Sequence, residues 1–457
     1  MQKAVPLWLC LLCLLVGALF TVSFGSFLQK AILGETRYER LGQAAIAVAS
    51  FPSLVKSSLK AVNSDADARV RVPRNGADLS GFHPIKARPG IRIEGLMVRA
   101  DPAALARASG WRILVGGFRL DGELQDAALV LSPELEVVKM WRLLEKDIPG
   151  TEPRSPYGKF AHGFALLKDG SIVFGFDNGV ALQRFDACGR RIWATVGKFD
   201  HAVSLDDSER FIWTLEDSEE IVKVATSDGA IARRISMADI AAANPTIDIL
   251  AVRQQDFDRG NDNSRNVPAK WLDDPFHLND VEPLPASIAK AFAGFQAGDL
   301  LVSARSLNLI FVLDPDTLKV RWWQSGSWRR QHDPDWQPTG EITVYDNRMN
   351  RAYSRIVSIV PSSLEARVVF DGRANDFYSR IRGKHQLTAA KTLLITSPQQ
   401  GRVFELERDG HLVFEMLSTR PGRGEFNYPL SEAIWLPSDT SQFKEGVPCA
   451  NHVSSSG

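Results

Sequence analysis

The sequence predicts an all-β fold, a six-bladed β-propeller, preceded by an N-terminal transmembrane helix and a short helical or linker segment. Three observations predict it. From Trp111 onward, short apolar runs bounded by turn residues follow one another with no long helical pattern between them. These runs group into units whose length, ~40–50 residues, is that of propeller blades. A histidine stands at the head of five of the units.

The first 28 residues differ from everything after them. Ala4 to Leu28 is an uncharged run containing PLWLCLLCLLVGALFTVSFGSFL. A bilayer core requires ~20 apolar residues in a helix, and this run supplies them. A cleaved signal has a shorter apolar stretch of ~7–15 residues and a small-x-small exit. Val22 to Ser26 matches that exit poorly, so an uncleaved anchor is the expectation, with cleavage near Gly25-Ser26 as the alternative. Next, Arg37 to Val62 is Ala- and Leu-rich and reads as helix with a break near Pro52. Asn63 to Gly110 reads as a linker with a few strands.

The blades begin with ILVGGF, ALVLS and VVKMWRL between residues 113 and 143. Each later unit runs histidine, apolar strand, second strand, Asp-Gly-like turn and a third strand often ending in Trp or Phe. His162, His201, His277, His332 and His385 are spaced 39, 76, 55 and 53 residues apart. The uneven gaps imply insertions, chiefly Ala241 to Pro275, which is polar and loop-like. Five histidine-led units and the unit at 111–145 make six, and EAIWLP (432–437) is positioned to close the ring on the first. The chain thus divides into an anchor at 1–28, a juxtamembrane helix and linker at 29–110, a propeller at 111–440 and a tail at 441–457.

Composition narrows the function. Lys and Arg number 54, as do Asp and Glu, which gives no sign of a nucleic-acid partner. Hydrophobic residues make up 44%, enough for a packed core rather than a disordered chain. Cys10 and Cys13 lie within the apolar segment, leaving Cys188 and Cys449 for the rest, with their pairing open.

The inner strands of a propeller start on one face around a central channel, so residues at a recurrent strand-start position converge there. That makes His162, His201, His277, His332 and His385 a candidate cluster rather than five isolated turn residues. His277-Leu278-Asn279 puts two polar side chains on one face of an extended strand. Arg305 places a guanidinium within an apolar strand, where an unpaired charge is expensive. Gln331-His332-Asp333-Pro334-Asp335-Trp336 combines a nucleophile candidate with carboxylates. Trp328, Trp336 and Tyr353 are placed to supply an apolar mouth.

The segments FHLNDVEPL, LLVSARSLNLIFVLD and QHDPDWQPTGEITVYDNRMNRAYSR resemble the bacterial arylsulfate sulfotransferases, a family of six-bladed propellers. The resemblance covers roughly residues 111–437. It implies transfer of a sulfuryl group from a phenolic sulfate ester to a phenolic acceptor, without a nucleotide sulfate donor or other cofactor. It further implies ping-pong kinetics through a transiently sulfated histidine. His332 matches that nucleophile. His277, Asn279 and Arg305 match the group that holds the sulfuryl oxygens, and His201, or else His162, matches a further site histidine.

No metal is expected. There is no H-x-x-x-H or H-E-x-x-H spacing, and Arg305 would repel a cation. The expected partners are the aryl sulfate, the phenol and the bacterial inner membrane, reached through the N-terminal helix, with the propeller in the periplasm. A homodimer is open. The rival reading is a non-catalytic anchored propeller serving as a binding or scaffold module of the cell envelope.

Overall fold

A computed structural model describes residues 6–32, 70–71, 79–145, 147–148, 160–177, 179–252, 275–349, 351–420 and 426–443. The chain divides into two units, one formed by residues 1–66 and 253–273 and the other by 67–252 and 274–457. In the first, Leu7–Ile32 is a single helix. Its stretch Leu7–Leu28 is a candidate membrane span by length and composition. The helix expected at Arg37–Val62 lies outside the described residues.

The second unit is a six-bladed propeller of antiparallel four-stranded blades. Blade one comprises, from the channel outward, Leu430–Pro437, Gly110–Leu120, Glu123–Leu131 and Val137–Arg142. The inner strands of blades two to six are Phe160–Leu166, Phe199–Leu205, Leu278–Pro283, His332–Trp336 and Lys384–Leu387. Blade one therefore takes its inner strand from the far end of the sequence, as the run EAIWLP suggested. Ile434 pairs with Ile113 and Trp435 with Arg112, which closes the ring. Ring closure leaves only short, protected strand edges, which face the channel.

Leu96–Ala100, in the stretch read as linker, pairs with Leu412–Ser418 and extends the outer side of blade six. A short helix, Met237–Ala243, started by a reciprocal cap between Ser236 and Asp239, runs into the first residues of the insertion read as loop from Ala241.

Period-two alternation builds the core, because each blade buries both faces against its neighbours. Trp111, Ile113 and Val115 pack towards Phe164, Phe174 and Phe185 of blade two. Leu114 and Phe118, one residue out of phase, pack towards Leu394, Val403 and Phe414 of blade six. The remaining interfaces repeat this arrangement. The Asp-Gly turns serve the hairpins: Asp121 and Gly122 both have positive φ, at 50° and 85°, the left-handed conformation a tight hairpin demands.

A buried ion pair interrupts this apolar packing at the seam of the ring. Arg112 is fully buried between blades one and six, with Nε 2.9 Å from Glu405 Oε2 and its Nη atoms donating to the carbonyls of Gly110 and Ala108. Glu405 in turn accepts from the Thr392 hydroxyl.

Candidate active site

Backbone irregularity positions the site. The inner strands of blades two, three, four and five each shift register near their start, between Ala161 and Phe164, Asp200 and Val203, Leu278 and Asp280, and His332 and Asp335. A bulge leaves a residue unpaired and re-aims its neighbours. His201, His277 and Asp333 have φ of 69°, 49° and 52°. Such left-handed conformations in non-glycine residues persist where surrounding structure enforces them, and they cluster at functional sites. The inner strand of blade six keeps a regular register, and His385 follows a different course. Its ring bonds Asp333 and Thr343.

His201, His277, Arg305 and His332 line one cavity of about 420 Å³ at the start of the inner strands. These four come from blades three, four and five, and Asp177 of blade two, Lys198, Asp200, Asp217, Ile381 and Arg382 complete most of the wall. The rings of His201 and His277 meet edge-on, 5.3 Å between centroids. His162 lies 4.3 Å behind His201, outside the cavity wall. The Arg305 backbone N–H donates to the His277 carbonyl at 3.0 Å, which ties the two strand ends together. His201 Nδ1 lies 2.8 Å from an Asp200 carboxylate oxygen.

His332 is almost completely buried. Its Nδ1 is 2.7 Å from Asn347 Oδ1, and its Nε2 is 3.1 Å from the backbone nitrogen of Arg382. Burial first, then the Arg305 guanidinium, holds its pKa well below the ordinary histidine value. The ring is therefore neutral at physiological pH. The Arg382 guanidinium bonds Asp177 at 2.6 Å and lies 3.6 Å over the Phe160 ring.

Asn279 lies beneath the cavity rather than in its wall. Its amide donates to the Gln331 carbonyl at 2.7 Å, immediately before His332. The Gln331 side chain is itself fixed by Ser303 and the Leu309 carbonyl. Trp328, Trp336 and Tyr353 do not form the expected aromatic mouth of this cavity. Trp328 is buried between blades four and five, and Trp336 packs there too and borders a different cavity. Tyr353 stacks with Arg348 and Arg373. A tryptophan just before an inner strand is drawn into the apolar gap between blades, so proximity in sequence to His332 misleads. Phe176 and Ile381 provide the apolar wall instead. Asn347, Arg382 and Asp177 escaped the sequence reading; Asn347 lay within the quoted QHDPDW…DN segment but had no assigned role.

Further along the channel, a second cavity of about 520 Å³ carries Asp280, Glu282, Asp333, Asp335 and Glu432 around Lys384 and His385. Lys384 Nζ bonds Asp280 at 2.9 Å and Asp333 at 2.7 Å. Burial raises Asp333, but Lys384 and His385 overcome it and bring the group down to about 2. Burial, followed by the Asp280 charge, pushes Glu282 up to about 8, and burial pushes Glu432 up to about 7 despite Lys384. A carboxyl whose folded pKa is raised contributes stability fully present below its unfolded value and lost as pH rises through the folded value. Between about pH 5 and about pH 8 the melting temperature should therefore fall, by roughly 1–2 °C for each kcal/mol lost in a unit of this size. Glu282→Gln should flatten that slope in calorimetry. Asp333 acts in the opposite sense, only below about pH 4, as its ion pairs are protonated away on the approach to 2.

Two groups among the described residues bring metal-ligand types together, His162 with Asp200 and His201, and Asp333 with Asp335 and His385. In the second, His385 and Asp333 already satisfy each other.

The molecule is thus a propeller with a neutral buried histidine, an arginine and two further histidines converging on one cavity. Residues 213–419, just under half of the chain, match the family described as arylsulfotransferase (ASST). The match runs from blade three through blade six and includes His277, Asn279, Arg305 and His332; it supports a sulfotransferase at the level of the family. No curated protein matches the chain. Similar solved structures include a protein of unknown function from Bacteroides caccae, 12% identical, covering 72% of this chain and 99% of that one with a TM-score of 0.44. A nidogen/laminin complex is also 12% identical over 72% of this chain and 99% of that one, with a TM-score of 0.42. Virginiamycin B lyase from Staphylococcus aureus is 10% identical over 62% and 86%, with a TM-score of 0.36.

Proposed function

We propose that this chain moves a sulfuryl group from a phenolic sulfate ester to a phenolic acceptor in two half-reactions, with His332 as the carrier. The observation that carries the reading is the convergence of His201, His277, Arg305 and His332 on one cavity. A sulfuryl group in flight spreads negative charge over its equatorial oxygens, as a phosphoryl group does. Fixed donors aimed at that charge then supply most of the catalysis. Arg305 offers a forked guanidinium, and His277 and His201 offer ring N–H groups. Asn279 acts one layer back, holding the backbone before His332 through its 2.7 Å bond to Gln331. A neutral His332 needs no base before it attacks sulfur. The phenolate leaves, and the acceptor oxygen later displaces the ring nitrogen while its proton goes to solvent.

The test is an assay of the full chain in detergent with an aryl sulfate and a phenol, which should give transfer with ping-pong kinetics. Arg305→Lys should still bind the donor yet lose on the order of 10²–10³ in kcat, because an ammonium cannot replace a planar two-pronged contact. Equal kcat in a folded Arg305→Lys protein would remove Arg305 from the transition state. No transfer with any aryl sulfate would favour the scaffold reading.

On this reading residues 1–28 anchor the protein in the bacterial inner membrane, 29–110 connect it to the propeller and lend Leu96–Ala100 to the outer side of blade six, 111–440 form the periplasmic propeller and 441–457 are a tail. Cys188 is disulfide-bonded, which suits an oxidising compartment. Mass analysis should find Leu7–Leu28 retained on the mature chain; a new N-terminus near Ser26 would replace the anchor with a cleaved signal.

A further inference from the structure

We propose that Asn347 is a positioning residue that makes Nε2 the reacting nitrogen of His332, and that the Arg382 backbone N–H is the donor that follows the sulfuryl group. The proposal rests on the sulfotransferase reading. Asn347 is completely buried, and both ends of its amide are committed. Its Nδ2 donates to the Ser379 carbonyl at 2.9 Å and to the Arg382 carbonyl at 2.6 Å. Carbonyl oxygens only accept, so the amide nitrogen must face them and Oδ1 must face the ring. An amide oxygen also only accepts, so the proton of His332 sits on Nδ1, 2.7 Å away.

A second contact, from a different group, requires the same tautomer. The Arg382 backbone nitrogen lies 3.1 Å from His332 Nε2. A backbone N–H only donates, so Nε2 carries the lone pair. A neutral imidazole has one proton, and the two bonds agree on where it is.

The chemistry then follows from the geometry. The Nε2 lone pair forms the N–S bond while the S–O(aryl) bond breaks and its electrons leave on the aryl oxygen. No proton moves in this half-reaction. The ring becomes an N-sulfonated imidazolium that still donates Nδ1–H to Asn347. A neutral amide stabilises that cation less than a carboxylate would, which keeps the group transferable. The Arg382 N–H loses Nε2 as its acceptor just as sulfuryl oxygens arrive beside it, and it turns onto one of them. The Arg382 guanidinium bonds Asp177 at 2.6 Å and lies 3.6 Å over Phe160, so the backbone N–H can move off the lone pair onto a sulfuryl oxygen while its side chain stays anchored.

The test reads the tautomer directly. In the full chain labelled with ¹⁵N-histidine, proton–nitrogen correlation spectra should show His332 with a protonated Nδ1 and a bare Nε2 at neutral pH. The resonance is assigned as the one lost in His332→Gln. Asn347→Leu should release the ring into a mixture of tautomers and cut kcat on the order of 10²-fold with KM little changed. Asn347→Asp should keep Nδ1 protonated and move the His332 titration upward, taking the low-pH limb of the loading rate with it. A wild-type spectrum with the proton on Nε2 overturns the proposal even if no variant folds. A folded Asn347→Leu protein with an unchanged tautomer overturns the role of Asn347. If the tautomer is as inferred but the wild type transfers no sulfuryl group, the positioning stands and the sulfotransferase reading falls.

Discussion

Incubating the wild-type chain with an aryl sulfate and no acceptor should leave a sulfuryl mass increment on the peptide containing His332, and a phenol should discharge it. His332→Ala should abolish both labelling and turnover. The magnitude follows from the surroundings. His332 sits buried between Asn347 and the Arg382 backbone, and the next rings in the cavity, His201 and His277, belong to other blades. Neither can take its trajectory without moving a strand. Removing the carrier thus removes the covalent route itself, a far larger loss than the ~10²–10³ typical of one transition-state donor. Wild-type turnover in a folded His332→Ala protein would refute the nucleophile assignment.

Arg112→Met should be the most destabilising single change in the closing blade, by about 3–5 kcal/mol. Both Arg112 and Glu405 have side chains with no solvent exposure, so Glu405 would be left as an uncompensated buried charge at the seam between blades six and one. The seam matters because Trp435 of the closing strand pairs with Arg112. Replacing Glu405 with Gln in the same chain should recover part of the loss, since a neutral amide costs less to bury unpaired. Chemical denaturation of the single and double variants checks this, and additive losses would show that the pair is not coupled. Catalytic constants of any remaining folded Arg112→Met protein should stay near wild type, because the pair lies away from the cavity.

Much of the propeller is legible in the sequence because its causes are local. Apolar alternation in runs such as RILVGGF and ALVLS writes each strand, and Asp-Gly dipeptides write the hairpins. Repetition then multiplies one unit into a ring. Even closure by EAIWLP could be read, since a lone apolar strand at the far end requires a partner. Leu96–Ala100 was harder to place, because its pairing with blade six lies more than 300 residues away in sequence. The buried Arg112 was invisible for a similar reason: it occupies a position that local patterning leaves ambiguous, and its partner lies in another blade.

The sequence by itself determined which histidines belong together, because recurrence at the head of a repeated strand maps onto one ring in space. It could not determine what each one does. His162, His201, His277, His332 and His385 occupy similar positions in sequence, yet only His201, His277 and His332 line the cavity that Arg305 shares. Backbone register accounts for His385, which the regular inner strand of blade six directs to Asp333 and Thr343; the strand of blade two is bulged at His162 and still leaves that ring out of the cavity wall, against His201. The tertiary structure alone decided the second tier, with Asn347 beneath His332, Arg382 at its Nε2 and Asp177 holding Arg382 across the channel. These contacts join residues 15, 50 and 205 positions apart, and a hydrogen bond acts only over the last ~3 Å. Local sequence sets the strands and their order; only the closed ring brings those atoms within that distance.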